Sequence, residues 1–461
     1  MLKGLAIENF KAWRDTGPIR MAPITLFFGA NSSGKTSLHQ LLLLLQQTAQ
    51  SSDRRRVLHL GDGSSTVDLG VFNDVLFEHE SDSALHFSLL WESPYPFEIQ
   101  DPRSDRHLET DTLVFDATIR LDDQGRIRVD SMKHCAMDGN DHIMMGMRLK
   151  PESDEYELIH SGYDPIRALG RKWPLPAPTR FYGFPYEAID YYQNTAFLAD
   201  FNLQLEWFLS SIFYVGPLRE YPKRLYLWSG EEPDHVGKTG NRAIEALLAG
   251  QDRRINRGSG THYQDLQIIV ARWLKQMGLI SEFEVRPIAQ NRKEYEVLVQ
   301  TADTRSQVKL TDVGFGISQV LPVIVECFYV KPDSIVIFEQ PEIHLHPRVQ
   351  ADLADLFIEA IHAREDGRDR NLQLIIESHS EHFLRRLQRR IAEGKISSEQ
   401  VAIYFCEAGL HGSTINRLEI TPYGRITNWP TDFFGDIMGD TAAQVRSALM
   451  RRKEEAKDED D

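Results

Sequence analysis

Residues 24–47 read "ITLFFGANSSGKTSLHQLLLLLQQ". The first five are an apolar run of strand type, the next eight form a loop bounded by Gly29 and Gly34, and the leucine-rich stretch has helical length. The loop fits G-x-x-x-x-G-K-[ST] in the setting that pattern requires, a strand before it and a helix after it. Its glycines admit backbone angles that turn successive amides inward, so N–H groups and the helix N-terminus form a cradle for phosphate. Asn31, Ser32, Ser33 and Ser37 belong to that cradle or adjoin it. Lys35 is placed to reach the β and γ phosphates of ATP, and Thr36 to ligate Mg2+. A chance glycine-rich turn would lack both flanking elements.

The rest of the chain is that of an ordinary soluble α/β protein. It has 461 residues, enough for a large core or two lobes, with 41% hydrophobic and 26% charged residues. The longest apolar candidate, "LLLLL" at 41–45, is far below the ~18 residues of a membrane span. The opening "MLKGLAIENF" has no secretory pattern, so a cytoplasmic location is expected. Cys135, Cys327 and Cys406 are odd in number and widely spaced, which supports neither a disulfide framework nor a zinc cluster. A net charge of −16 argues against nucleic-acid binding over the whole surface. Local basic runs remain at 54–56 ("RRR") and 385–390 ("RRLQRR"), the second on an expected helix, with solvated faces as the plainer reading.

Five segments are expected. Residues 1–95 hold the phosphate loop and a β subdomain, 96–205 a β-rich and irregular insertion, and 206–282 a helical lobe that includes "FNLQLEWFLSSIFYV". Residues 283–435 return to the ATPase core, and 436–461 form a helical, acidic tail ending "KEEAKDEDD". Within the fourth segment, "EFEVRPI" and "EYEVLVQ" read as a hairpin, followed by strand, helix, strand, which is a parallel-sheet signature.

"SIVIFEQPE" at 334–342 is a buried strand ending in Glu339, a metal-side carboxylate expected beside the phosphate loop. In open α/β sheets ligands gather at the carboxyl ends of strands. The next strand stretch, "LQLIIESHS" at 372–380, carries His379 at its end, a candidate γ-phosphate sensor. His344 and His346, in "HLHP", have the spacing of metal ligands but no third partner nearby, so a structural role is preferred. "LTDVGFGISQVLPVI" at 310–324 places Gly314, Gly316 and Ser318 at a second helix N-terminus suited to an anion.

These elements in this order resemble the ATP-binding-cassette class of P-loop ATPases. The resembling branch contains structural-maintenance-of-chromosomes proteins, recombination-repair ATPases and the overcoming-lysogenisation-defect family. "LKGLAIENFKAW", with Lys11 after its "NF", looks like that branch's first strand, and "FEQPEIHLHP" and "IIESHSEHFLRRL" are similar to the metal strand and switch-histidine segment of the last family. "YVGPLRE" at 214–220 and "YGRITNWPTDFF" at 423–434 resemble a standalone subgroup found in bacterial defence operons. The resemblance implies an α/β head with a mixed or parallel core sheet, an antiparallel β subdomain and a helical lobe. It implies a homodimer or higher oligomer with ATP between subunits, in which Gly314, Gly316 and Ser318 meet the γ-phosphate of the partner's nucleotide and His379 that of its own. The usual serine followed by two glycines is absent, leaving Ser318 and Thr311 as alternative hydroxyls. Lys11 joins the nucleotide-binding set, and Arg219 faces either the nucleotide or a lobe-joining ion pair.

Relatives with a nuclease domain need a cluster of acids on strands beyond the switch histidine, and others need long coiled coils; neither pattern is present here. Where many such ATPases carry a glutamate after the metal carboxylate, this chain has Gln340. An amide orients water but takes no proton at neutral pH, and losing a general base lowers rates ~10²- to 10⁴-fold. Glu342, beyond Pro341, is the substitute candidate. The expectation is a slow ATP-gated switch controlling a separate effector such as a nuclease in anti-phage defence, with a DNA-clamping repair ATPase as the alternative and DNA as its partner.

Overall fold

The computed structural model describes residues 1–430, 433 and 443–449, apart from residues 81, 152, 171–173, 259–260 and 302–305. Its central sheet is assembled from distant parts of the chain. The strand order is Ile212–Val215, Ile335–Glu339, Gln373–Glu377, Ile24–Gly29, Val401–Glu407, Thr414–Leu418, parallel throughout except at the last pair. The interior strands are short, almost wholly apolar runs, as expected where both faces are covered. Alternation along each strand divides its side chains between two cores. Ile335, Ile337, Phe27 and Ile375 face the first, and Val336, Phe338, Leu26 and Ile376 face the second.

The first core lies between this sheet and an antiparallel sheet of eight strands, with helices Lys35–Gln50 and Leu198–Ser210 in the layer between. That second sheet joins the amino-terminal strand Leu2–Phe10 to a meander of Leu85–Gln100, His107–Leu121, Ile127–Asp138, Asp141–Leu149 and Tyr156–Ser161. Aromatic pairs seal the layer: Trp91 stacks on Phe208 at 5.0 Å between ring centroids, and Phe97 tilts on Phe201 at 4.7 Å. The second core packs helices Leu266–Gln276, Phe315–Tyr329, Pro347–His362 and Glu381–Ala392 on the other face. The hairpin Glu282–Pro287 with Glu294–Gln300 forms as expected.

Four features differ from the sequence reading. The strand ending at Glu339 is not beside the phosphate-loop strand, because Gln373–Glu377 lies between them. "IFYV" does not extend the preceding helix; Ile212–Val215 is the edge strand of the central sheet. The segment expected as β-rich and irregular is regular antiparallel sheet as far as Ser161, although methionines and Gly146 stand where β-branched residues are usual. Strand Leu85–Gln100 runs through residue 95 and helix Leu198–Ser210 through residue 206, so the divisions drawn there cut across single elements. Of the tail, all but residues 443–449 lies outside the described residues. Among the described residues no helix is long and apolar enough to cross a membrane.

The carboxyl end of helix Phe315–Tyr329 is held by two arginines. Buried Arg370 donates to the Cys327 carbonyl at 2.8 Å and also to Val330, and Arg253 makes paired 2.8 Å contacts to Glu365, which Arg370 also approaches at 3.3 Å. Cations there satisfy carbonyls that a helix end leaves without partners.

Candidate nucleotide site

Gly29 has φ +143°, and a Cβ there would lie 2.1 Å from the Cys406 carbonyl oxygen, so only glycine fits. Gly34, φ +88°, precedes the helix and lies under the Trp13 indole, whose N–H donates to its carbonyl at 3.0 Å. Ser32 also takes a left-handed conformation, at φ 62°. Thus the loop's turns are fixed partly by its own residues and partly by a tryptophan from the antiparallel sheet.

The loop bounds a cavity of about 300 Å³ lined by Lys11, Ala12, residues 31–37, Gln340 and Glu377. Lys35 bends back over the loop: Nζ donates to the carbonyls of Ala30 at 2.7 Å and Gly29 at 3.1 Å, with Glu377 Oε1 at 3.8 Å. Burial lowers its pKa while Glu377 acts in the opposite sense. Thr36 donates from Oγ1 to Glu377 Oε2 at 2.9 Å. Burial, offset by Lys35 and reinforced by Glu339, pushes the Glu377 carboxyl up to about 7. His39, one turn along the helix, is 1% exposed, 3.9 Å from Glu377, and has both ring nitrogens without partners among the described residues. Burial and then the Lys35 charge hold His39 down to about 3, so it is neutral.

Glu339, paired in register with Glu377, accepts from the Tyr214 hydroxyl at 2.6 Å. Gln340 sits at φ 44° and its N–H donates to the Glu377 carbonyl at 2.9 Å, which aims this residue at the cavity. Glu342 is turned the other way. It is buried, and its Oε1 accepts the His379 N–H at 2.6 Å, tying the turn after Glu339 to the turn at His379; burial raises its pKa. His379 is exposed, with its imidazole below the ordinary pKa through partial desolvation and the Lys35 charge. Arg219, 6% exposed, donates from Nη2 to the Glu339 carbonyl at 3.5 Å, while Nε and Nη1 lack partners among the described residues. Burial lowers its pKa to about 10.

Gly314, Gly316 and Ser318 do not line this cavity within one chain. Gly314 caps helix Phe315–Tyr329 and is exposed; Gly316 lies against His344 and Leu345; Ser318 is buried and faces the loop Glu220–Tyr226. That loop reaches the same turn from outside through Arg224, which pairs with Asp312 at 3.2 Å. Thr311 donates to Asp312 at 3.2 Å. His346 accepts the Arg348 N–H and caps helix Pro347–His362, which accounts for "HLHP". Among the described residues no group of three or more His, Cys, Asp and Glu gathers as a metal centre.

The donor set suits Mg-ATP. Mg2+ is usually held by one or two carboxylates plus substrate phosphates, and here Thr36, Glu339 and Glu377 offer a hydroxyl and two carboxylates beside an amide-rich cradle. Sequence reasoning passes over Trp13, His39, Tyr214 and Glu377. The last is signalled only by an acid two residues before His379, at the end of an apolar strand.

Residues 255–384 match the model of a family described as an AAA ATPase domain, and residues 396–444 match one described as a protein of unknown function (DUF3696). No curated protein matches the sequence. Among solved structures, the SMC head domain from Thermotoga maritima is 11% identical with a TM-score of 0.41, covering 91% of this chain and 99% of that one. An SmcHead bound to the C-winged helix domain of ScpA is 10% identical, TM-score 0.44, with 91% and 98% covered. An Smc head with an extended coiled coil, bound to the C-terminal domain of ScpA from Pyrococcus furiosus, is 9% identical, TM-score 0.43, with 91% and 96% covered. The ATPase match contains Glu339, Gln340, Glu377 and His379, and the strand pairing of Gln373–Glu377 with Ile24–Gly29 joins it to the phosphate loop. Residues 255–384 are thus similar to an AAA ATPase domain, and the central sheet sets them beside a loop that fits the P-loop pattern.

Proposed function

We propose that this ATPase is a slow nucleotide-gated switch, working as the ATPase and sensor subunit of an anti-phage defence complex whose effector is a separate protein. The observation that carries the slow turnover is Gln340 in the lining of the phosphate-loop cavity, with Glu342 engaged by the backbone of His379. Lys35 and the loop amides bind phosphate, Thr36 and Glu339 hold Mg2+, and His379 attends the γ-phosphate. When bound, Mg2+ draws charge off the phosphate oxygens. Gln340 orients water through its amide oxygen but removes no proton. An ATPase lacking that base dwells with ATP bound, and the dwell is useful when the closed form binds ATP more tightly than the open one.

Two copies are proposed to close around ATP, with Gly314, Gly316 and the Ser318 region of one meeting the nucleotide of the other. The effector reading is favoured over DNA clamping by charge. The net charge is −16, and the arginines of "RRLQRR" are engaged: Arg386 and Arg390 pair with Asp355, Arg389 with Glu393 and Arg385 with Glu381.

The test is sizing of the protein with and without Mg-ATP, together with single-turnover hydrolysis. A larger species with Mg-ATP that Lys35→Ala cannot form, and hydrolysis slower than about 1 s⁻¹, are expected. Faster hydrolysis removes the slow switch. Steeply salt-dependent DNA stimulation, without a co-purifying partner protein, turns the reading toward repair.

A further inference from the structure

The proposed function assigns Mg2+ to Thr36 and Glu339 and gives Glu377 no task, although its carboxylate stands in the same donor set. In register it lies directly between Glu339 on one neighbouring strand and Phe27 on the other, so its carboxyl group stands between the metal-side carboxylate and the phosphate loop. Adjacent strands are about 4.8 Å apart. The Thr36 hydroxyl is therefore claimed by Glu377, at 2.9 Å, while the Glu339 carboxylate accepts from Tyr214. The Lys35 ammonium is parked on the Ala30 and Gly29 carbonyls, facing the same Glu377 carboxylate at 3.8 Å.

We propose that Glu377 is a second metal-facing carboxylate, which makes triphosphate binding depend on a divalent cation. The inference rests on the nucleotide reading and deepens it. A triphosphate arriving alone brings negative charge against two carboxylates faced by one lysine. It must also compete with Glu377 for Lys35. A divalent cation accompanying the triphosphate gives Glu377 and Glu339 a shared partner and leaves Lys35 to the phosphate. The alternative is that Glu377 only pins Lys35 and Thr36 in place. A pin affects stability and affinity with and without the cation alike; a metal-facing group changes the difference between them.

The experiment measures binding of a fluorescent ATP analogue in Mg2+ and in EDTA, and binding of Mn2+ in the presence of nucleotide by electron paramagnetic resonance. It compares the intact chain, Glu377→Gln, Glu377→Asp and Glu339→Gln. Gln keeps an acceptor for Thr36 and nearly the same shape, and circular dichroism checks the fold. The intact chain is expected to bind the analogue at least tenfold more tightly with Mg2+. Glu377→Gln should lose most of that gap by gaining metal-free affinity and should bind Mn2+ at least tenfold more weakly, with Glu377→Asp recovering part of both. Wild-type metal dependence in Glu377→Gln, with only a lower melting temperature, overturns the inference while the nucleotide reading stands. Failure of the intact chain to bind the analogue in either condition overturns both.

Discussion

The Trp13 indole N–H donates to the Gly34 carbonyl at 3.0 Å, so a side chain of the antiparallel sheet closes the back of the phosphate loop. Trp13 is fully buried, and its ring also fills the space a side chain at position 34 would take. Trp13→Phe keeps an aromatic ring and removes the donor, leaving a buried carbonyl without its partner. A stability loss of about 2 kcal/mol is expected, combining the lost bond with the lost volume. Nucleotide affinity should fall several-fold. Unchanged affinity in a folded Trp13→Phe protein would show that the loop keeps its shape without the tryptophan.

Gly29→Ala should be among the most damaging single substitutions. The new methyl would stand 2.1 Å from the Cys406 carbonyl in a conformation, φ +143°, that side chains avoid. Relief requires moving either the loop or the neighbouring strand, at a cost of at least about 3 kcal/mol. Thermal melting of the purified variant reads this directly; a melting temperature equal to the wild type's would contradict the close approach of the two strands.

Gln340→Glu places a proton acceptor where the cavity already receives a side chain. Single-turnover hydrolysis should accelerate about a hundredfold or more, since a general base contributes about 10²- to 10⁴-fold. The ATP-bound oligomer should shorten its lifetime in step. An unchanged rate would mean that the proton leaves by a route that does not pass residue 340.

Acid sensitivity should trace in part to His134. It is fully buried among Phe115, Phe184 and Phe201, its Nε2 bonds the Tyr182 carbonyl at 2.9 Å, and burial holds its pKa down to about 4. The unfolded chain takes up this proton near pH 6.5 and the folded chain only near 4. Stability is therefore complete above pH 6.5 and is lost as pH falls through 4, by on the order of 3 kcal/mol from this group. His39 acts in the same direction. Urea unfolding of His134→Gln between pH 7 and 4 should give a shallower decline than the wild type; parallel curves would show that His134 is not the group responsible.

The phosphate loop is legible in the sequence because its chemistry is contiguous: eight residues carry both the turns and the ligands. Glu377 is not, since its role depends on strand order. Nothing in "LQLIIESHS" says that this strand lies between the loop and Glu339. "IFYV" reads as helix because an apolar run follows a helix with only Ser211 between, and a buried parallel strand has no alternation to announce it. His344 and His346 invite a metal reading because two-residue spacing is shared by ligands and caps, and the cap shows only in the His346 contact with the Arg348 amide. Arg219 stands open between two roles for a similar reason, and the structure brings it to the Glu339 carbonyl.

The neighbours of the phosphate-loop strand are residues 373–377 and 401–407. During synthesis the loop therefore leaves the ribosome hundreds of residues before either flank exists, and it must wait in an unsupported form. Chaperones or transient pairing have that interval in which to act. Prematurely terminated products that stop before residue 401 lack one wall of the sheet, so the support of the loop is complete only when translation of this region is.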